Sequence, residues 1–204
     1  MTKSLAIGLF AGSFNPAHSG HLHLARTAFR ALDLDRVWWM PTPQNPLKPH
    51  QPPYNQRAAS ILALDLPPRM ELSHAERDLD TRYTIDTLRA LRRCHPAHRF
   101  VLLMGADNLA QLPKWKDWQA IFATVPIAVV SRPGPQALRA RLGRAARQFA
   151  HARVPESAAR TLAQTPPPAW VFLTAPLNAE SSSRIRAATS ALEPRLDRNT
   201  GARP

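Results

Sequence analysis

Two histidines, His18 and His21, stand where the chain passes from a loop into helical periodicity. A spacing of three residues places both rings on one face once a helix has begun by His18. The first turn of a helix carries unpaired N–H groups and the positive end of the dipole, so an anion is stabilised there, and two imidazoles add directed donors. Gly12, Ser13 and Gly20 leave the backbone bare enough for a ligand to come close. Together these residues predict a phosphate site. Ordinary loop chemistry is the competing account, since Gly-Ser and Asn-Pro are common turn residues and a histidine near a helix start needs no ligand. A metal centre on His18, His21 and His23 is disfavoured, because His23 leaves the shared face and no cysteine or carboxylate lies near enough in sequence to complete a set.

The elements that must hold this corner are legible on either side of it. Leu5 to Phe10 is a short apolar run suited to a strand buried on both faces, and Gly12 to Pro16 is dense in turn residues. From about Gly20, Leu22, Ala25, Phe29 and Leu32 recur at helical spacing. Arg36 to Met40 reads as a second strand, followed by a proline-rich loop from Pro41 to Pro53 that regular structure cannot accommodate. Tyr54 to Leu64 shows helical periodicity through Ala58, Ile61 and Leu62. Arg69 to Leu72, Phe100 to Met104, Pro126 to Val130 and Ala169 to Leu173 are further strands. Thr84 to Arg93 reads as a helix, Ala106 to Phe122 as two short helices broken near Pro113, and Ser181 to Leu192 as a last helix. Gln136 to Ala150 reads as one amphipathic helix with Leu138, Leu142, Ala145 and Phe149 on its apolar face and Arg139, Arg141, Arg144 and Arg147 among its other residues. Pro155 to Pro168 reads as a mobile surface segment. Strand and helix alternate throughout, which implies a doubly wound, mostly parallel α/β sheet with helices on both faces.

The 204 residues suit a single domain spanning 1–204, with 193–204 as a frayed polar tail. One cysteine, Cys94, rules out an internal disulfide framework and fits a reducing cytoplasm. No stretch approaches the length of a membrane span. The net charge of +13 attracts polyanions, nucleotides and nucleic acid alike. Arginine far outnumbers lysine and alanine and proline are abundant, so coding bias explains part of that charge. A basic nucleic-acid-binding protein is therefore the rival from another class, carried by the arginine-bearing segment at 139–147.

Gly12 to His21, Gly-Ser-Phe-Asn-Pro-Ala-His-Ser-Gly-His, resembles the signature of the nucleotidylyltransferase superfamily, whose H-x-G-H element binds nucleoside triphosphate phosphates. It is neither a dinucleotide fingerprint nor a Walker A loop. Four further segments narrow the likeness: Arg-Tyr-Thr-Ile-Asp-Thr-Leu at 82–88, Met-Gly-Ala-Asp-Asn-Leu at 104–109 with Pro-Lys-Trp at 113–115, Ser-Arg-Pro-Gly at 131–134, and Ser-Ser-Ser-Arg-Ile-Arg at 181–186. In that order they resemble bacterial nicotinate-nucleotide adenylyltransferases. The resemblance implies a Rossmann-like fold and adenylyl transfer from ATP, with Mg²⁺, to nicotinate mononucleotide, giving deamido-NAD and pyrophosphate in NAD biosynthesis. A related enzyme preferring nicotinamide mononucleotide or another phosphate acceptor is the alternative within the superfamily. No membrane partner is expected and nucleic acid is not the expected one; a homo-oligomer is left open.

By the same resemblance, His18 and His21 contact the ATP phosphates, with His21 at the α-phosphate in the transition state. Gly12, Ser13 and Phe14 line the junction between the two nucleotides. Lys48 brings a cation over the phosphates, and Ser181, Ser183 and Arg186 form a second phosphate element. Gly105 and Asp107 approach the ATP ribose, and Arg132 borders the adenine pocket. Tyr83, Thr84 and Trp115 recognise the pyridine ring, and no protein metal ligands are implied. The chain departs from the family pattern at Ala11, Asn15, Glu180 and Ser183.

Overall fold

A computed structural model describes residues 4–43, 51–131 and 135–175. The apolar run after Leu5 forms β1 (Ala6–Gly12), and the helical stripe after it forms α1 (Ser19–Ala31). There follow β2 (Arg36–Pro41), α2 (Tyr54–Leu62), β3 (Met70–Leu72), the single turn α3 (Ala75–Asp78) and α4 (Thr84–Cys94). The second half begins with β4 (Arg99–Gly105), α5 (Ala106–Gln111), α6 (Trp118–Thr124) and β5 (Ile127–Ser131). It continues through α7 (Pro135–Leu142), α8 (Arg144–Gln148), β6 (Arg153–Val154) and β7 (Trp170–Thr174). No helix among the described residues is long and apolar enough to cross a membrane.

The strands form one seven-stranded sheet in the order β3-β2-β1-β4-β5-β7-β6, and every neighbouring pair is parallel. The chain winds outward from β1 to β3, then crosses back to place β4 on the other side of β1. That reversal opens a crevice beyond the carboxyl ends of β1 and β4, where open parallel sheets bind ligands. In a parallel sheet each following helix starts at this same edge, so α1, α4 and α5 all present their N-termini there.

Alternation along the strands divides the core into two layers. Phe10, Val37, Trp39, Val101, Leu103, Val130 and Val171 pack with Ala25 and Ala28 of α1, Leu32 at its C-cap and Ile61 of α2. Ile7, Leu9, Leu102, Ile127, Val129 and Phe172 pack with Ile85, Leu88 and Leu91 of α4 and with Leu109, Ile121 and Phe122. Gly8 lies where the α1–β2 connection and β4 close in: a Cβ there would sit 2.7 Å from Leu103 Cδ1 and 2.8 Å from Leu34 Cδ1.

Three expectations need correction. The single amphipathic helix over 136–150 is two helices separated at Gly143, and Leu138 and Leu142 are exposed. Small residues, Ala140, Ala145 and Ala146, make the buried contacts instead, because Gly143 redirects the chain before the stripe is complete. The segment 155–168 is not loose: Glu156–Gln164 forms a 3-10 helix that buries Ala159, Leu162 and Ala163 against the sheet. In α2, Leu62 is exposed, and the buried face runs through Arg57, Ala58 and Ile61. The helix expected at 181–192 lies outside the described residues.

Candidate active site

The loop leaving β1 is held from several sides. The Gly12 carbonyl accepts the Thr42 N–H at 3.0 Å, and the Ala17 N–H donates to Ser60 Oγ of α2, also at 3.0 Å. Ser13 is buried. Phe14 adopts a positive φ of 45°, a left-handed conformation that is costly for a residue with a Cβ. Its ring packs at 5.3 Å from Phe10, 5.2 Å from His21 and 5.4 Å from Trp39, so aromatic burial offsets that cost. Phe14 is 2% exposed, so its ring belongs to the core and does not line the crevice.

His18 is the N-cap of α1, with extended φ and ψ of −155° and 172°. Its Nδ1 accepts the Gly20 N–H at 3.0 Å, and His21 Nδ1 reaches back to accept the His18 N–H at 3.3 Å. This is the reciprocal pattern of a capping box, written with imidazoles in place of a hydroxyl and a carboxylate. An Nδ1 that accepts carries no proton, so each ring holds its proton on Nε2, and that atom becomes a hydrogen-bond donor. The ring centroids lie 3.9 Å apart. Two donors thereby stand close together at a helix N-terminus, a combination that can meet phosphate oxygens.

Behind the loop lies a buried charged cluster from α2 and α3. Arg57 is 2% exposed and gives its three kinds of guanidinium N–H to three carbonyls: Nη1 to Ser13 at 2.8 Å, Nη2 to Pro43 at 2.9 Å and Nε to Pro52 at 3.0 Å. Glu76 is 5% exposed, with its carboxylate hydrogen-bonded to the Thr42 side chain. Burial pushes its pKa up to about 7, against the lowering effects of the Thr42 hydrogen bond and the Arg57 charge. Burial also lowers the pKa of Arg57. Tyr54 Oη and His74 Nδ1 close the cluster at 2.6 Å.

The raised Glu76 pKa has a definite sign in stability. The folded state holds the proton more tightly than the unfolded chain, so this group's contribution is neutral below pH 4.5 and turns destabilising as pH rises toward about 7. Glu76→Gln removes that dependence. Relative to wild type the variant gains roughly 3 kcal/mol between pH 4 and pH 8. Urea unfolding of both proteins at the two pH values checks it; a constant difference contradicts it.

The other rim of the crevice is built from α4 and α5. Gly105 ends β4, and the Asp107 carboxylate folds back so closely that a Cβ on Gly105 would lie 2.5 Å from its Oδ1. Tyr83 caps α4 and Thr84 opens it. Tyr83 and Trp115, both half-buried, pack against the core layer on the α4 side of the sheet. Lys116 Nζ lies 4.6 Å from the Tyr83 ring centroid and pairs with Asp86 at 3.1 Å.

Comparison with known proteins assigns the family. A cytidylyltransferase-like family profile matches residues 9–188. A probable nicotinate-nucleotide adenylyltransferase of Ruegeria pomeroyi is 50% identical over 183 residues, covering 89% of this chain and 85% of that one. A counterpart from a Caulobacter species is 51% identical over 184 residues, covering 89% and 97%. The chain belongs to the nicotinate-nucleotide adenylyltransferases. Solved structures bear out the fold: Plasmodium falciparum nicotinic acid mononucleotide adenylyltransferase complexed with NaAD matches with a TM-score of 0.62 at 16% identity, over 90% of this chain and 83% of that one.

In this adenylyltransferase the sheet brings Gly12, Ser13, Phe14, His18 and His21 together at the β1–α1 junction. It places Gly105 and Asp107 across the switch point, and Tyr83, Thr84 and Trp115 on the opposite layer. Lys48, Arg132, Glu180, Ser181, Ser183 and Arg186 lie outside the described residues. Sequence reasoning passed over Arg57, Thr42 and Glu76. The one signal was an arginine at a position that shares a helical face with Ala58 and Ile61.

Proposed function

We propose that this enzyme transfers the adenylyl group of ATP to the phosphate of nicotinate mononucleotide, releasing pyrophosphate and forming deamido-NAD. The observation that supports it most is the imidazole pair at the α1 N-terminus, with both Nδ1 atoms accepting backbone N–H groups so that Nε2 is left to donate. The acceptor phosphate already carries a negative oxygen, so no serine, cysteine or strong base is required. That oxygen forms a bond to the ATP α-phosphorus as the bridge to the β-phosphate breaks, and the departing electron pair leaves on pyrophosphate. Catalysis consists of holding two polyanions in line and stabilising charge on the α-phosphate and leaving group.

His21 serves the α-phosphate and His18 its neighbour, while the α1 N–H groups add their dipole. Gly12, Ser13 and Phe14 face the junction through backbone. Gly105 and Asp107 take the ribose, Arg132 the adenine border, and Lys48, Ser181, Ser183 and Arg186 the phosphates, by their places in the family pattern. Tyr83, Thr84 and Trp115 take the pyridine ring, the electron-poor heterocycle stacking on indole. Mg²⁺ requires oxygen ligands, whereas the donors at the mouth of α1 are nitrogens and N–H groups. Among the described residues no three His, Cys, Asp or Glu side chains group to hold a metal. Mg²⁺ keeps several waters and takes few protein ligands, so here it would be held chiefly by the triphosphate oxygens, whose charge it would offset.

Trp115→Ala raises KM for nicotinate mononucleotide about tenfold, as expected for losing a stacking contact worth ~1 kcal/mol or more, and leaves KM for ATP unchanged. Steady-state titration of each substrate checks it. The substrate assignment is tested by comparing turnover of nicotinate and nicotinamide mononucleotides. Preference for the acid supports it, and equal or better use of the amide overturns it.

A further inference from the structure

We propose that Arg57 is a positioning residue for the transfer, acting through the Ser13–Phe14 peptide at the phosphate loop; this rests on the adenylyltransferase reading above. Arg57 belongs to α2, far in sequence from the loop, yet its Nη1 donates to the Ser13 carbonyl at 2.8 Å inside the protein. Its other two bonds, to Pro43 and Pro52, anchor the guanidinium to the chain leaving β2 and the chain entering α2. Three carbonyls in three directions fix the plane of the group, which a guanidinium fork allows and an ammonium does not.

The consequence for the site follows from peptide geometry. The carbonyl oxygen and the next N–H of a trans peptide point in opposite directions, so holding the Ser13 oxygen turns the Phe14 N–H away from the buried cluster. That residue is the one with a φ of 45°, a conformation that relaxes unless its surroundings hold it. Arg57 secures the carbonyl before Phe14, and Phe10, Trp39 and His21 secure the ring after it. The Phe14 ring in turn abuts His21, so a shift of this peptide is transmitted to the imidazole as well. Thr42 adds a second hold, its N–H on the Gly12 carbonyl and its side chain on Glu76. The cluster is a strut behind the loop, and it touches no reacting atom.

The experiment measures kcat per folded molecule, with the folded fraction read from near-UV circular dichroism, for wild type, Arg57→Lys and Arg57→Ala. Arg57→Lys keeps the charge but not the three-way grip. Its kcat falls about 10²-fold, the scale of a ~1 Å misplacement, with KM for both substrates little changed. Added guanidinium ion restores part of the kcat of Arg57→Ala, and sodium chloride at the same concentration does not. A kcat per folded molecule equal to wild type in Arg57→Lys assigns Arg57 a role in stability alone, and a loss in Arg57→Ala that guanidinium leaves untouched shows that the loss does not come from the missing three-way grip; either result overturns the inference. A wild-type protein that makes no deamido-NAD overturns the functional reading instead, so the two failures are separate.

Discussion

Replacing His21 with alanine lowers kcat for adenylyl transfer by about 10²–10³-fold, the usual loss when one preorganised donor to a transition-state oxygen is removed. The fold survives. His21 is half-buried, and the structural bond it makes through Nδ1 is to the His18 N–H, a capping contact worth about 1 kcal/mol. Single-turnover pyrophosphate release gives the chemical step and thermal unfolding gives the stability. A small loss of stability with a large loss of rate is the expected pairing. If rate and stability fall in proportion, the imidazole is a cap and the phosphate assignment fails for that residue.

His18 separates the same two roles more sharply. As N-cap it accepts the Gly20 N–H at 3.0 Å, a task that asparagine performs as well as any residue. His18→Asn therefore keeps wild-type stability and loses about 10²-fold or more in kcat, because it lacks the Nε2 donor. His18→Ala loses the donor and the cap together, and its unfolding free energy drops by a further ~1 kcal/mol. Comparing the two variants by urea unfolding and by turnover checks both halves. An active His18→Asn enzyme contradicts the role of the ring.

The strands were readable because buried parallel strands are continuous apolar runs, and β1, β4 and β5 are the most apolar stretches of the described chain. The β1–α1 junction was readable because its glycines, turn residues and histidines sit within one short stretch. What escaped was set by tertiary contact. Gly143 ends a helix whose apolar spacing continues past it, so Leu138 and Leu142 face outward. The 3-10 helix Glu156–Gln164 buries Ala159, Leu162 and Ala163 in a segment whose proline content suggested an open loop. Arg57 escaped for a related reason: its partners are backbone carbonyls, which have no sequence signature, and one of them comes from a loop far earlier in the chain. Likewise the tautomer of His18 and His21 depends on N–H groups that sequence does not orient.

The role proposed for the two imidazoles at the start of α1 is to hold the triphosphate. A crystal structure with a non-hydrolysable ATP analogue and nicotinate mononucleotide tests it most directly. Phosphate oxygens are expected within hydrogen-bonding distance of Nε2 on both His18 and His21, with the acceptor phosphate against the Gly12–Phe14 backbone. A triphosphate bound elsewhere, with both rings turned from it, rules that role out.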